Sequence, residues 1–253
     1  IQYSVTDGTK ANRFVGIDNY VSLWQNRMFL LGLKNTMVLS VISAPLLWVA
    51  SFLFALILQA IQPKGAFFRS VSLMPYLAPS SAMLLIWLVI FDYGGPINRI
   101  LQAFGMDRVL WLESEALRVP IILMFVWKNL GFCVVIFLAA LQTVPQSLYE
   151  YATLEGAGFL TRAFKVALPH ILPTAFLIFV LAWINAFRIF KEVYVIAGSY
   201  PDTSVYTLQH YMNNMFSRLD YQMVTASAYS FAVIVMALFA VLFLLQRRAA
   251  SAQ

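Results

Sequence analysis

Five long apolar runs, almost free of charge, alternate with shorter polar segments along this chain of 253 residues. They cover residues 35–60, 71–91, 119–141, 171–187 and 224–245. At roughly 1.5 Å rise per residue, every run but the shortest is long enough as a helix to cross a hydrocarbon layer of about 30 Å. Lipid offers no partner for a backbone amide or carbonyl, so a spanning segment of this kind is helical. The pattern therefore predicts an all-α, polytopic transmembrane protein. A polar stretch, 1–34, precedes the first run and is expected on the outer side of the membrane. The spanning domain occupies 35–245, and 246–253 forms an inner tail. Five spans place the chain ends on opposite sides. The chain opens at Ile1 without a secretory signal, which suggests a further helix ahead of it.

Composition sharpens the class. Hydrophobic residues make up 61% of the chain and charged ones 11%, less than half the charged share of a soluble domain. The lone cysteine, Cys133, lies inside the third run, so no disulfide or metal framework is legible. The net charge of +6 is met by basic loops at lipid headgroups and calls for no nucleic acid. Suppose the segment between the third and fourth runs is cytoplasmic. The inner segments then carry Lys64, Arg69, Arg162, Lys165, Arg247 and Arg248 in short loops, and nine of the eleven acids fall outside. Cations near short loops set orientation, so charge density favours this arrangement.

The connecting segment 149–173 resembles neither neighbour. It reads YEYATLEGAGFLTRAFKVALPHILP, with two glutamates, two glycines and two prolines. Ser147 and Glu150 have the spacing of a capping box, and Thr143–Gln146 offers an alternative start one turn earlier. The spacing predicts a short helix to about Glu155, with Gly156 just past its end in the left-handed conformation that costs glycine least. A second short helix is expected from about Thr161 towards Leu168, and Pro169 suits the first turn of the next span. The connection at 61–70 reads as a tight basic turn broken by Pro63 and Gly65.

The residues Glu150-Tyr-Ala152, Glu155-Gly156-Ala157-Gly158 and Leu168-Pro169 resemble the EAA loop of ABC-importer permeases. Tyr151 stands where that loop usually has alanine, and Glu155 where sugar permeases often have aspartate. Phe14-Val-Gly-Ile-Asp-Asn-Tyr20 and Leu138-Ala-Ala-Leu-Gln142 resemble further segments of the carbohydrate-transporting branch, as do 187–194 and 207–211. The resemblance implies a type I importer permease in a bacterial inner membrane. It also implies that the 144–169 loop is a coupling helix docked on a separate ATPase, through Glu150, Ala152, Glu155, Gly156 and Gly158. Two ATP-binding subunits, a second related permease and an extracytoplasmic solute-binding protein are the implied partners. ATP and magnesium would be held by the ATPase, because this sequence has no G-x-x-x-x-G-K-[ST] loop.

Lys128 lies near the middle of the third run, where a charge costs about 2.5–3.5 kcal/mol or more. It is expected to face protein or water together with Asn129 and with Asn185 of the next span. These three are candidate linings of a substrate pathway for a sugar, an oligosaccharide or glycerol phosphate. The alternative is that they only bond across helices, Lys128 meeting a backbone carbonyl. An ion-coupled secondary transporter would need intramembrane ionisable groups, and only Lys128 offers one. The carboxylates are read as mostly extramembrane, with no intramembrane pair. A membrane enzyme finds no support: His170 and His210 lack ligand spacing, and there is no G-x-S-x-G elbow. His170, after Pro169, is expected to be a cap or solvated.

Overall fold

The computed structural model describes residues 2–8, 13–61, 65–113 and 115–250. Among them there is no strand, only an isolated antiparallel bridge between Thr6 and Phe14. The chain enters through α1 (Asp18–Gln25) and the long α2 (Arg27–Ala60). Asn26 separates the two, and its side chain accepts from the amides of Met28 and Phe29 at 2.9 and 3.2 Å, capping α2. That cap starts the first spanning helix at Arg27, ahead of the expected boundary at Asn35. Asn19 holds the entry segment in place by donating to the carbonyls of Ser4 and Thr6.

The second apolar run is not one helix. It forms α3 (Gly65–Leu77) and α4 (Ser80–Phe91), interrupted at Ala78 and Pro79. Pro79 has no N–H to donate and drives the residue before it out of helical geometry, so the expected continuous span breaks there. The expected turn at 61–70 is also shorter than read, since Gly65 already begins α3; Pro63 lies outside the described residues. After α4 the chain turns through Asp92–Gly95 into α5 (Pro96–Ala103). Buried Asn98 organises the following loop, donating to Tyr93 and Val109 carbonyls and accepting from the Val109 amide and the Trp111 indole.

The third run is α6 (Arg118–Leu141). It packs along α2, α3 and α10 (Leu172–Ala186) and forms the centre of the main core with Phe52, Ile121, Val134, Phe137 and Ala175. The Trp48 indole donates to the Ala175 carbonyl at 2.7 Å, tying α2 to α10. At the α3–α6 crossing, a Cβ on Gly131 would collide with the Ser72 carbonyl, so the helices approach through a residue without a side chain.

Beyond α10 come α11 (Phe190–Ala197), α12 (Leu208–Ser217) and α13 (Tyr221–Ala250). A second, smaller core joins α1, α2, α12 and α13 through Leu23, Phe29, Tyr211 and Ala226. Asn35 of α2 donates to the Thr203 and Tyr206 carbonyls at 2.6 and 2.9 Å, fixing the loop ahead of α12. His210 is buried at the start of α12, where its Nδ1 accepts from the Thr207 amide at 3.2 Å and lies 2.8 Å from the Thr207 hydroxyl. His170 is exposed, as its place after Pro169 suggests. Five stretches among the described residues are long and apolar enough to cross a membrane: Arg27–Ala60, Met83–Ala103, Glu115–Leu141, Leu172–Ala197 and Tyr221–Leu244.

Candidate coupling helix and polar cavity

The loop between α6 and α10 folds as α7 (Gln146–Leu154), α8 (Phe159–Arg162), a π-helical turn at Ala163–Ala167 and α9 (Leu168–His170). The capping box at Ser147 does not form. Pro145 is the N-cap residue and no side chain caps the helix, so α7 starts between the two expected positions, with Ser147 already inside. The Thr143 hydroxyl donates back to the Ala140 carbonyl instead. Pro173, rather than Pro169, occupies the first turn of the spanning helix α10.

The end of α7 matches the expectation from glycine. Gly156 has φ +78°, its amide bonds to the Thr153 carbonyl at 3.0 Å, and the Ala157 amide reaches the Ala152 carbonyl at 2.9 Å. These two bonds form a Schellman motif, which satisfies carbonyls that a helix end leaves open. Gly158 differs, since its φ of −68° is open to any residue. The Arg162 guanidinium donates to the Thr153 hydroxyl at 3.0 Å, so α8 folds back on α7 and the glycine turn is closed by a side-chain clasp. Glu150, Glu155, Gly156 and Gly158 are exposed and Ala152 is half-buried. Tyr151 and Leu154 stand out at 67% and 85% exposure, giving this short polar helix an uncovered apolar edge.

The three other candidate residues meet in one place. Lys128, Asn129 and Asn185 line a cavity of about 430 Å³ between α6 and the α10–α11 segment, with Tyr76 of α3 and Gln209 of α12 at its border. The Asn129 amide turns back to the Phe125 carbonyl of its own helix at 2.8 Å. Lys128 meets a carboxylate. Its Nζ lies 2.8 Å from Oε1 of Glu192, whose residue is only 6% exposed. Glu192, beyond the apolar run as read from the sequence, belongs to the Leu172–Ala197 stretch and supplies the counter-ion that a lysine at this depth needs. Arg188, Lys191 and Glu192 were not singled out from the sequence, although all three line the cavity. A signal was present. Asn185, Arg188 and Glu192 follow one another at three and four residues, the spacing of one helix face. The apolar run, taken to end at Phe187, hid it.

Residues 33–252 match the family described as binding-protein-dependent transport system inner membrane component. The chain belongs to this family. The permease is 30% identical over 221 residues to the sulfoquinovosyl glycerol transport system permease protein of Agrobacterium fabrum, a match covering 86% of this chain and 71% of that one. It is also 30% identical over 210 residues to the trehalose/maltose transport system permease protein of Thermococcus litoralis, over 82% and 71% of the two chains. Relatives of this kind are longer, and the permease spans between 60% and 71% of their length. In fold it is similar to a chain of a bacterial alginate ABC transporter crystallised with an alginate pentasaccharide-bound periplasmic protein. The TM-score is 0.81 at 24% identity, over 92% of this chain and 83% of the other. The fold is that of an ABC-importer permease, and its place is the inner membrane.

Proposed function

We propose that this permease forms half of the pathway of an ATP-driven importer for a sugar or oligosaccharide, and that α7 couples it to a separate ATPase. The observation that carries the coupling role is the exposed edge of α7, where Tyr151 and Leu154 project beside Glu150 and Glu155. An apolar edge rimmed by charge has the composition of a docking surface, with aromatic and aliphatic anchors at its centre. Glu150 and Glu155 offer it charged contacts, and the Schellman turn at Gly156 holds its far end. The 144–169 loop then faces the cytoplasm.

The remaining machinery is read from the resemblance to ABC-importer permeases. The sequence carries no phosphate-cradling loop of its own, and two ATP-binding subunits of that assembly supply ATP hydrolysis with their magnesium. A second, related permease closes the pathway, and an extracytoplasmic binding protein delivers the solute. This chain itself performs no catalysis. The sugar class rests on the sulfoquinovosyl glycerol and trehalose/maltose relatives, and Lys128, Asn129 and Asn185 line its route.

The test is purification of the permease from its native membrane, where an ATPase should co-elute. In the assembled complex, Gly156→Val or Glu150→Arg should leave the protein inserted but abolish the ATP hydrolysis stimulated by solute-loaded binding protein. Normal stimulation in both variants would remove α7 from the coupling role.

A further inference from the structure

The polar cavity holds more positive than negative charge. Lys128, Arg188 and Lys191 line it against a single carboxylate, Glu192, so three cations less one anion leave an excess of two. The geometry says which cations form the excess. Lys128 is bound at 2.8 Å to the buried Glu192 carboxylate, and the two charges largely cancel. Arg188 and Lys191 are exposed, and no acceptor among the described residues meets either one. Arg188 sits on the turn after α10, three residues beyond Asn185, and Lys191 three residues further on, in the first turn of α11. A guanidinium presents a fork of donors suited to a carboxylate, sulfonate or phosphate. A recess lined by one sign of charge within low-dielectric walls also focuses potential and gathers ligands of the opposite sign.

We infer that the solute carried by this permease bears an anionic group, and that Arg188 and Lys191 receive it at the cavity while Asn185 and Asn129 face its uncharged part. The inference rests on the transport reading and narrows it from sugars in general to acidic ones. The Lys128–Glu192 pair then has a separate part. It anchors α11 to α6 and fixes the first turn of α11, from which Lys191 projects.

The experiment uses the complex isolated with its partner subunits and binding protein from native membranes. It is reconstituted in vesicles of phosphatidylcholine alone and of phosphatidylcholine with phosphatidylglycerol. ATP-driven uptake is measured for a panel of acidic solutes (glycerol 3-phosphate and oligoglucuronides of one to five residues) and of neutral ones (maltose, cellobiose and their longer oligomers). The expected result is accumulation of an acidic solute in both kinds of vesicle. Arg188→Gln with Lys191→Gln should lower that accumulation about tenfold or more, the loss of charged hydrogen bonds, and Arg188→Lys should retain most of it. Accumulation of neutral solutes alone overturns the inference and leaves the importer reading in place. So does acidic uptake that ignores the double substitution. An effect of the substitutions confined to vesicles with phosphatidylglycerol assigns the two cations to lipid headgroups and also overturns it. Absence of ATP-driven uptake across the whole panel overturns the inference together with the transport reading on which it rests.

Discussion

At the scale of single residues, the contact between Lys128 and Glu192 asks most of the fold. Removing one partner of a buried pair strands the other charge, at a cost of about 3–5 kcal/mol, whereas replacing both by apolar groups is often neutral. Lys128→Met alone should therefore lower the thermal unfolding midpoint in detergent sharply. Lys128→Met with Glu192→Leu should recover most of the loss, and equal midpoints for the single and double variants would show that the pair is not coupled. His210 supplies a second residue-scale expectation. Burial holds its imidazole neutral and pulls its pKa from 6.5 down to about 4. Between those values the unfolded chain binds more protons than the folded one, so stability rises with pH there. This contribution is complete above pH 6.5 and is lost as the pH falls towards 4. His210→Gln keeps an acceptor for the Thr207 amide, in the manner of a capping box, but does not titrate. Its unfolding midpoint should decline less than that of the parent protein between pH 6.5 and 4, a comparison that scanning calorimetry reads directly.

At the scale of elements, α7 and the broken second span teach opposite lessons about legibility. The stop of α7 was readable because it depends on local chemistry: only glycine takes φ +78° at little cost, and Gly156 stands where the helix ends. Its start was misplaced because Thr143 and Ser147 each offer a capping side chain, and the helix instead begins between them, after Pro145, with neither in use. Lengths of apolar sequence marked out the spans but not the break at Pro79, which hydropathy does not register. The pairing of α6 with α11 was illegible for a further reason. Lys128 and Glu192 lie 64 residues apart, and no local pattern joins them. If the edge of α7 is a docking surface, Leu154→Glu should weaken recovery of the ATPase on the purified permease by roughly tenfold, since a central apolar anchor is worth about 1–2 kcal/mol or more. The same change should leave the unfolding midpoint of the isolated permease nearly unmoved, because Leu154 is 85% exposed. An unaltered yield of ATPase would place the docking elsewhere.

At the scale of the whole molecule, orientation ties these parts to their compartments. In a Cys133→Ser background, a cysteine at Gly158 should react in intact cells only with membrane-permeant thiol reagents, and one at Asp202 with impermeant reagents as well. The reverse pattern would turn the molecule over and remove α7 from reach of a cytoplasmic ATPase. The spans themselves are unevenly enclosed: 56% of the most apolar window of Glu115–Leu141 is buried within the protein, against 6% for that of Tyr221–Leu244. The consequence concerns how freely each helix can drift over evolutionary time. Acyl chains conform to any greasy shape, so wherever α13 faces them selection sees hydropathy and little else. Within this chain Val233, Met236 and Val241 are exposed, and exchange with leucine, isoleucine or phenylalanine costs its own packing little. Gly131 answers to the Ser72 carbonyl and has no such latitude.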